Sequence, residues 1–142
     1  MLPIISGEFG VVQEPELRFN DDGRAWAKLR GVAKDRRKNA AGEWEDGDAT
    51  FIDILVSGRA AENLVESVVV GDAIAVTGKL KQREWQSDGK TMKAYSILAD
   101  NVGVSIRFTS AATPKYQQNM KNTPAAQESS DSGSWGKEEA PF

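Results

Sequence analysis

The chain has 142 residues, 39% of them hydrophobic, with 18 Lys and Arg against 21 Asp and Glu for a formal net charge of −3. That length suits one domain with chain to spare, and the low apolar share implies that part of it stays out of the core. The absence of Cys and His excludes disulfides, thiolate metal sites and the commonest general base, and Met1-Leu-Pro-Ile-Ile-Ser has neither a basic region nor a long apolar run, so no signal peptide and no membrane span are expected.

Ile4 to Val12 reads as a first strand that Gly7 and Gly10 allow to bend, with Glu14-Pro15-Glu16-Leu17 as a turn out of it. Asn20-Asp21-Asp22-Gly23 is a turn signal ahead of a second strand, Ala25 to Ala33. Alternation along that strand puts Trp26, Lys28 and Arg30 on one face and Ala25, Ala27 and Leu29 on the other. A Trp on a cationic face either packs under a loop or offers a stacking surface. A polar loop is expected from Asp35 to Asp48, with Trp44 among its charges, followed by an apolar third strand from Ala49 to Val56. In the next segment Ala60, Ala61, Leu64, Val65 and Val68 recur at helical spacing, which predicts a short helix with one buried side. Gly71-Asp72 turns into a fourth strand from Ala73 to Leu80, and Ala94 to Ile106 returns as the last.

Between Lys79 and Tyr95 the fourth and fifth strands continue as a two-stranded arm, with Ser87-Asp88-Gly89-Lys90 as its turn. Lys79, Lys81, Arg83 and Trp85 alternate onto one face of it, while Leu80 and Gln82 face the other way. Cations for phosphates lead to a ring for a base, a pattern suited to a single nucleic-acid strand; a solvated hairpin with a rim Trp is the plainer alternative. A second basic segment runs from Arg18 to Lys38, where Arg18, Arg24, Lys28, Arg30, Lys34, Arg36, Arg37 and Lys38 face only Asp21, Asp22 and Asp35. Screening confines distant charges to about 8–10 Å, so a chain acidic in total can still present a positive groove.

Three strands, a helix and two strands is the order of an OB-fold, an all-β, five-stranded, partly open Greek-key barrel with one short helix between strands 3 and 4. After about Ser110 the composition turns to Ala, Ser, Thr, Pro, Gln and Asn, which cannot bury enough apolar surface to offset chain entropy. The expected organisation is a binding domain over 1–109 and a disordered tail over 110–142. The tail's Glu138, Glu139, Pro141 and Phe142 suit a ring dropped into a partner's pocket beside basic residues, an ordinary frayed terminus being the plainer alternative.

The motifs Glu14-Pro15-Glu16-Leu17-Arg18-Phe19 with Asp22-Gly23, Gly42-Glu43-Trp44-Glu45-Asp46-Gly47 and Phe51-Ile52-Asp53-Ile54 come in order along the chain. They are followed by Gly58-Arg59-Ala60-Ala61-Glu62-Asn63-Leu64, Gly71-Asp72, Val76-Thr77-Gly78-Lys79-Leu80 and Pro141-Phe142. Each piece is weak and the ordered set is specific: the chain resembles the bacterial and bacteriophage single-stranded DNA-binding proteins, the Gly-Glu-Trp loop being most like actinobacterial or phage members. The resemblance implies an OB-fold assembled as a homo-oligomer, commonly a tetramer, in the bacterial cytoplasm. It also implies sequence-independent binding and protection of single-stranded DNA in replication, recombination and repair, without a cofactor. Spacing alone leaves dimer and tetramer open. The family's stacking aromatics fall on Phe51 and Trp85, with Trp44 near the place of another, and the tail tip (Glu138, Glu139, Pro141, Phe142) on the part that recruits replication, recombination and repair proteins.

Three departures stand out. Ser57 takes the place where many members have an aromatic before the helix-opening glycine, and could instead cap the helix for about 1 kcal/mol. Trp26 stands where a small aliphatic is usual and is expected to replace part of the surface lost at Ser57. The tip has Ala140 in place of an Ile and two Glu where more Asp is usual, which would retune affinity for partners. The functional reading is thus a non-enzymatic binder in which Trp26, Trp44, Phe51 and Trp85 stack bases while Lys28, Arg30, Lys79, Lys81, Arg83 and Lys93 follow phosphates. The alternatives are an OB-fold replication adaptor or RNA-binding module, and a metal-dependent nuclease built on Asp46, Asp48 and Asp53.

Overall fold

The computed structural model describes residues 1–122. Five strands, β1 (Ile4–Phe19), β2 (Ala25–Lys38), β3 (Trp44–Ser57), β4 (Ala73–Ser87) and β5 (Lys90–Val104), close into a barrel in the order β1-β2-β3-β5-β4, with β1 also pairing β4. Helix α1 (Arg59–Ser67) connects β3 to β4. All pairings are antiparallel except the short β3·β5 contact, where Asp53, Ile54 and Leu55 lie opposite Ser96, Ile97 and Leu98. This is the strand order and helix position expected of the OB-fold.

Alternation along each strand drives closure. Leu29, Ile54, Ile74, Val76 and Ile97 point inward and are fully buried, and Phe9, Val11, Ile52 and Val56 join them. Each such side chain contributes about 1.5–3 kcal/mol on burial. Ala61, Leu64 and Val68 of the helix segment are part of the same core, whereas Ala60, expected on the buried side, is exposed.

Several strands run further than the sequence indicated. Glu14-Pro15-Glu16-Leu17 is not a turn: β1 continues through it to Phe19, with register shifts between Val11 and Gln13 and between Gln13 and Glu16. Those irregularities leave Pro15 out of the ladder, which is how a strand tolerates a residue with no N–H. The expected loop over Asp35–Asp48 is instead a long β2·β3 hairpin whose ladder reaches Lys38 opposite Trp44. Its reversal at Asn39 repeats the one at Asn20: each Asn side-chain oxygen accepts two backbone N–H bonds, from Asp22 and Arg24 in one and from Ala41 and Glu43 in the other, all at 2.9–3.1 Å.

Helix α1 starts after Gly58 without any side-chain cap, so Ser57 does not cap it; Ser57 is the last residue of β3. The arm forms as expected, with Asp88 at φ 51° and Gly89 at φ 77° in its turn and pairing out to Ser87 and Lys90. The buried Gly78 sits at a register shift in β4, so close to β5 that a Cβ there would lie 2.8 Å from Ala99 Cα and overlap the Leu98 carbonyl oxygen.

The barrel and α1 lie in one compact unit, Met1–Phe108. Within the segment assigned to the tail, Pro114–Asn122 forms a helix, α2. Thr113 starts it, its hydroxyl accepting the Tyr116 N–H at 3.1 Å, and Pro114 occupies the first turn, where its missing N–H costs nothing. That Thr-Pro start is a local signal which composition alone overlooked.

Candidate nucleic-acid interface

The outward side of β2, β3, β5 and β4 forms one surface, and strand register states what lies on it. One cross-sheet row runs Arg30, Asp53, Ser96, Lys81; the next runs Lys28, Leu55, Leu98, Lys79. Cations therefore border the surface on β2 and β4, while the middle strands contribute an acid, a hydroxyl and two leucines. Phe51, 51% exposed, lies one step further along β3 opposite Val32, and on β4 the face continues through Arg83 to Trp85 opposite Met92. At the other end Trp26 pairs with Ser57, so the ring stands beside the position where the resemblance led one to look for an aromatic.

A shallow groove of about 340 Å³ opens on this surface, lined by Glu16, Arg18, Trp26, Lys28, Asp53, Leu55, Arg83 and Ser96. Four of the strands' rings carry a cation above them. Arg18 lies 5.9 Å from the Trp26 ring centre, Arg30 5.5 Å from Phe51, Lys38 5.4 Å from Trp44 and Arg83 4.9 Å from Trp85. Such pairs are attracted by the ring quadrupole and keep a positive charge next to each ring.

The cations differ in how far they are already neutralised. Asp53 meets Arg30 at 3.1 Å and Lys28 at 3.8 Å, and Glu16 meets Arg18 at 2.9 Å. Among the described residues, Lys79, Lys81 and Arg83 have no carboxylate within ion-pair distance.

Of the ten residues singled out for bases and phosphates, Trp26, Lys28, Phe51, Arg30, Lys79, Lys81, Arg83 and Trp85 share this surface. Lys93 does not: it pairs with Glu84, at 3.6 Å, on the opposite side of the arm from Arg83 and Trp85. Alternation turns both residues of that pair away. Trp44 stands apart at the outer end of the β2·β3 hairpin, 61% exposed, opposite Lys38. The tip residues Glu138, Glu139, Pro141 and Phe142 lie outside the described residues. Arg18, Glu16, Leu55 and Ser96 were missed because only strand pairing brings them to the groove; Arg18 alone had a sequence signal, as the first cation of the basic segment.

The carboxylates proposed for a nuclease do not assemble. Asp46 pairs with Lys34 at 3.6 Å, Asp53 is held by Lys28 and Arg30, and no group of three metal-ligating side chains occurs among the described residues. Among them, too, no helix is long and apolar enough to cross a membrane.

The sequence model of the Single-strand binding protein family matches residues 4–105. The chain is 40% identical over 103 residues to a single-stranded DNA-binding protein of Corynebacterium glutamicum, covering 71% of this chain and 46% of that protein. It is 38% identical over 110 residues to single-stranded DNA-binding protein 2 of Streptomyces coelicolor, covering 74% and 54%. Its match thus spans about half the length of these two relatives. With the single-stranded DNA-binding protein of Mycobacterium tuberculosis identity is 35% over 132 residues, 87% of this chain and 80% of that protein. In fold, the chain is similar to the crystal structure of a small single-stranded DNA-binding protein from Streptomyces coelicolor, with a TM-score of 0.68 at 24% identity over 75% of this chain and 96% of that one.

Proposed function

The chain belongs to the single-strand binding protein family, and from that premise we propose that it binds single-stranded DNA without sequence preference through the outer face of β2, β3, β5 and β4. The observation that carries this reading is the row structure of that face: Lys and Arg border it on β2 and β4, and rings at Trp26 on β2, Phe51 on β3 and Trp85 on β4 each have a cation beside them. Bases splayed from a single strand stack on the rings, which tolerate any base, while phosphates run along Lys79, Lys81 and Arg83. Duplex is a poor ligand because its bases are already stacked on one another. Protection of single strands in replication, recombination and repair follows from covering exposed bases.

The same reading gives the chain a homo-oligomeric, bacterial cytoplasmic, non-enzymatic role. Recruitment of partner proteins is assigned to Glu138, Glu139, Pro141 and Phe142, on the strength of the sequence resemblance.

A tryptophan-fluorescence titration with oligo-dT and with a duplex of equal length, each at low and high salt, tests the binding reading. Quenching by the single strand that survives moderate salt, with little response to duplex, is the expected result. Equal binding to both, abolished by salt, would mean a general polyanion surface and would overturn it.

A further inference from the structure

Asp53 is the only acid in the two central rows of the face, and the strand register puts it between β2 and β5, in the middle of a surface meant for a polyanion. An isolated carboxylate there repels phosphate. Its position is well defined: the side chain is 20% exposed, against 45% and 44% for the Lys28 and Arg30 side chains it meets. One carboxylate oxygen takes Arg30 at 3.1 Å and the other faces Lys28 at 3.8 Å, so a single negative charge is shared by two cations. Arg30 in turn lies over the Phe51 ring. On the far border Lys81, in the same row, has no such partner among the described residues.

We propose that Asp53 is a selectivity residue of the strand-binding face: it lowers the phosphate-attracting charge of Lys28 and Arg30 and holds Arg30 against Phe51, so that binding depends on base stacking more than on backbone charge. This rests on the single-strand reading above. A face with all its cations unpaired would attract duplex nearly as well as a single strand, since both present phosphates. With Asp53 in place Lys28 and Arg30 together keep one net positive charge instead of two. What then separates the ligands is access of bases to the rings, which duplex lacks.

The test compares Asp53→Asn with Glu84→Gln. Each removes one negative charge, but Glu84 lies on the other side of the arm, paired with Lys93. Affinity for labelled oligo-dT and for an equal-length duplex is measured by anisotropy from about 50 to 200 mM salt, the range over which counterion release is conveniently read. Asp53→Asn is expected to steepen the duplex salt slope by about 0.9 for each cation released, and the single-strand slope by about 0.7. Its preference for single strand over duplex at low salt should narrow several-fold, Asp53→Glu should restore it, and Glu84→Gln should leave both slopes and the preference at wild-type values.

Should Asp53→Asn not fold, Lys28→Gln and Lys81→Gln read the same charges: the compensated Lys28 should change the slope by less than half as much as Lys81. Wild-type selectivity with an unchanged Asp53→Asn, an equal effect of Glu84→Gln, or equal slope changes for the two lysines would overturn the assignment to Asp53 alone. A wild-type protein that does not prefer the single strand would overturn both the assignment and the binding reading.

Discussion

At the level of single side chains, the rings and the cations beside them make separable contributions. A base stacked on an aromatic side chain is worth about 1–3 kcal/mol, so Trp85→Ala or Phe51→Ala is expected to weaken oligo-dT binding by roughly 5- to 150-fold at any salt concentration, read by anisotropy of labelled DNA. Lys81→Ala should instead lose its effect as salt rises. Trp26→Ala is expected to fall in the stacking class, because the ring borders the groove with Arg18 above it. Ser57 contributes no cap, so Ser57→Ala should leave the urea midpoint unchanged, where loss of a capping hydroxyl would cost about 1 kcal/mol. Gly78 is the contrasting case. A methyl there meets the backbone of Leu98 and Ala99, which has no rotamer with which to yield, so Gly78→Ala should destabilise by about 3 kcal/mol, at the upper end of overpacking effects, seen as a lower urea midpoint.

At the level of elements, the two hairpins reach beyond the barrel, the arm carrying the proposed face with it, and most of their outer residues are exposed. Every residue of the arm from Lys81 to Lys93 is exposed, so its pairing rests on the ladder and on the turn rather than on a core. Gly89 occupies the turn at a φ of 77° that a β-branched side chain does not adopt cheaply. Gly89→Val is expected to open the outer rungs: amides near Gln86 and Thr91 should exchange faster, and binding should weaken by the share that Trp85 supplies. The global melting temperature should move little, since the core side chains are untouched. The β2·β3 hairpin was legible in part. Asn39 and Gly42 repeat the spacing of Asn20 and Gly23, and the second turn could have been read from the first; the charged residues flanking it hid the strands because a two-sided solvated ladder has no apolar alternation to reveal it.

For the whole molecule, the compact unit Met1–Phe108 contains the barrel, α1 and every residue of the proposed face. A fragment ending at Phe108 is therefore expected to melt cooperatively and to bind oligo-dT within a few-fold of the full chain, with both measured side by side. Net charge is a poor guide to that surface. The chain totals −3, yet its face is bordered by Lys28, Arg30, Lys79, Lys81 and Arg83, because acids are distributed elsewhere or, like Asp53, placed to neutralise particular cations.

The order of elements, the inward and outward residues of β2 and β4, the arm turn and the family motifs were all determined by the sequence itself, because period-2 alternation and Asx-Gly turns are local properties. Which residues become neighbours across strands was not. The continuation of β1 past Pro15, the turning away of Lys93 with Glu84 and the gathering of Arg18, Leu55 and Ser96 at one groove depend on register, which closure of the barrel decides. The same holds for Asp53: in sequence it is one acid in an apolar strand, and only the pairing of β3 with β2 and β5 makes it the shared counter-charge of Lys28 and Arg30.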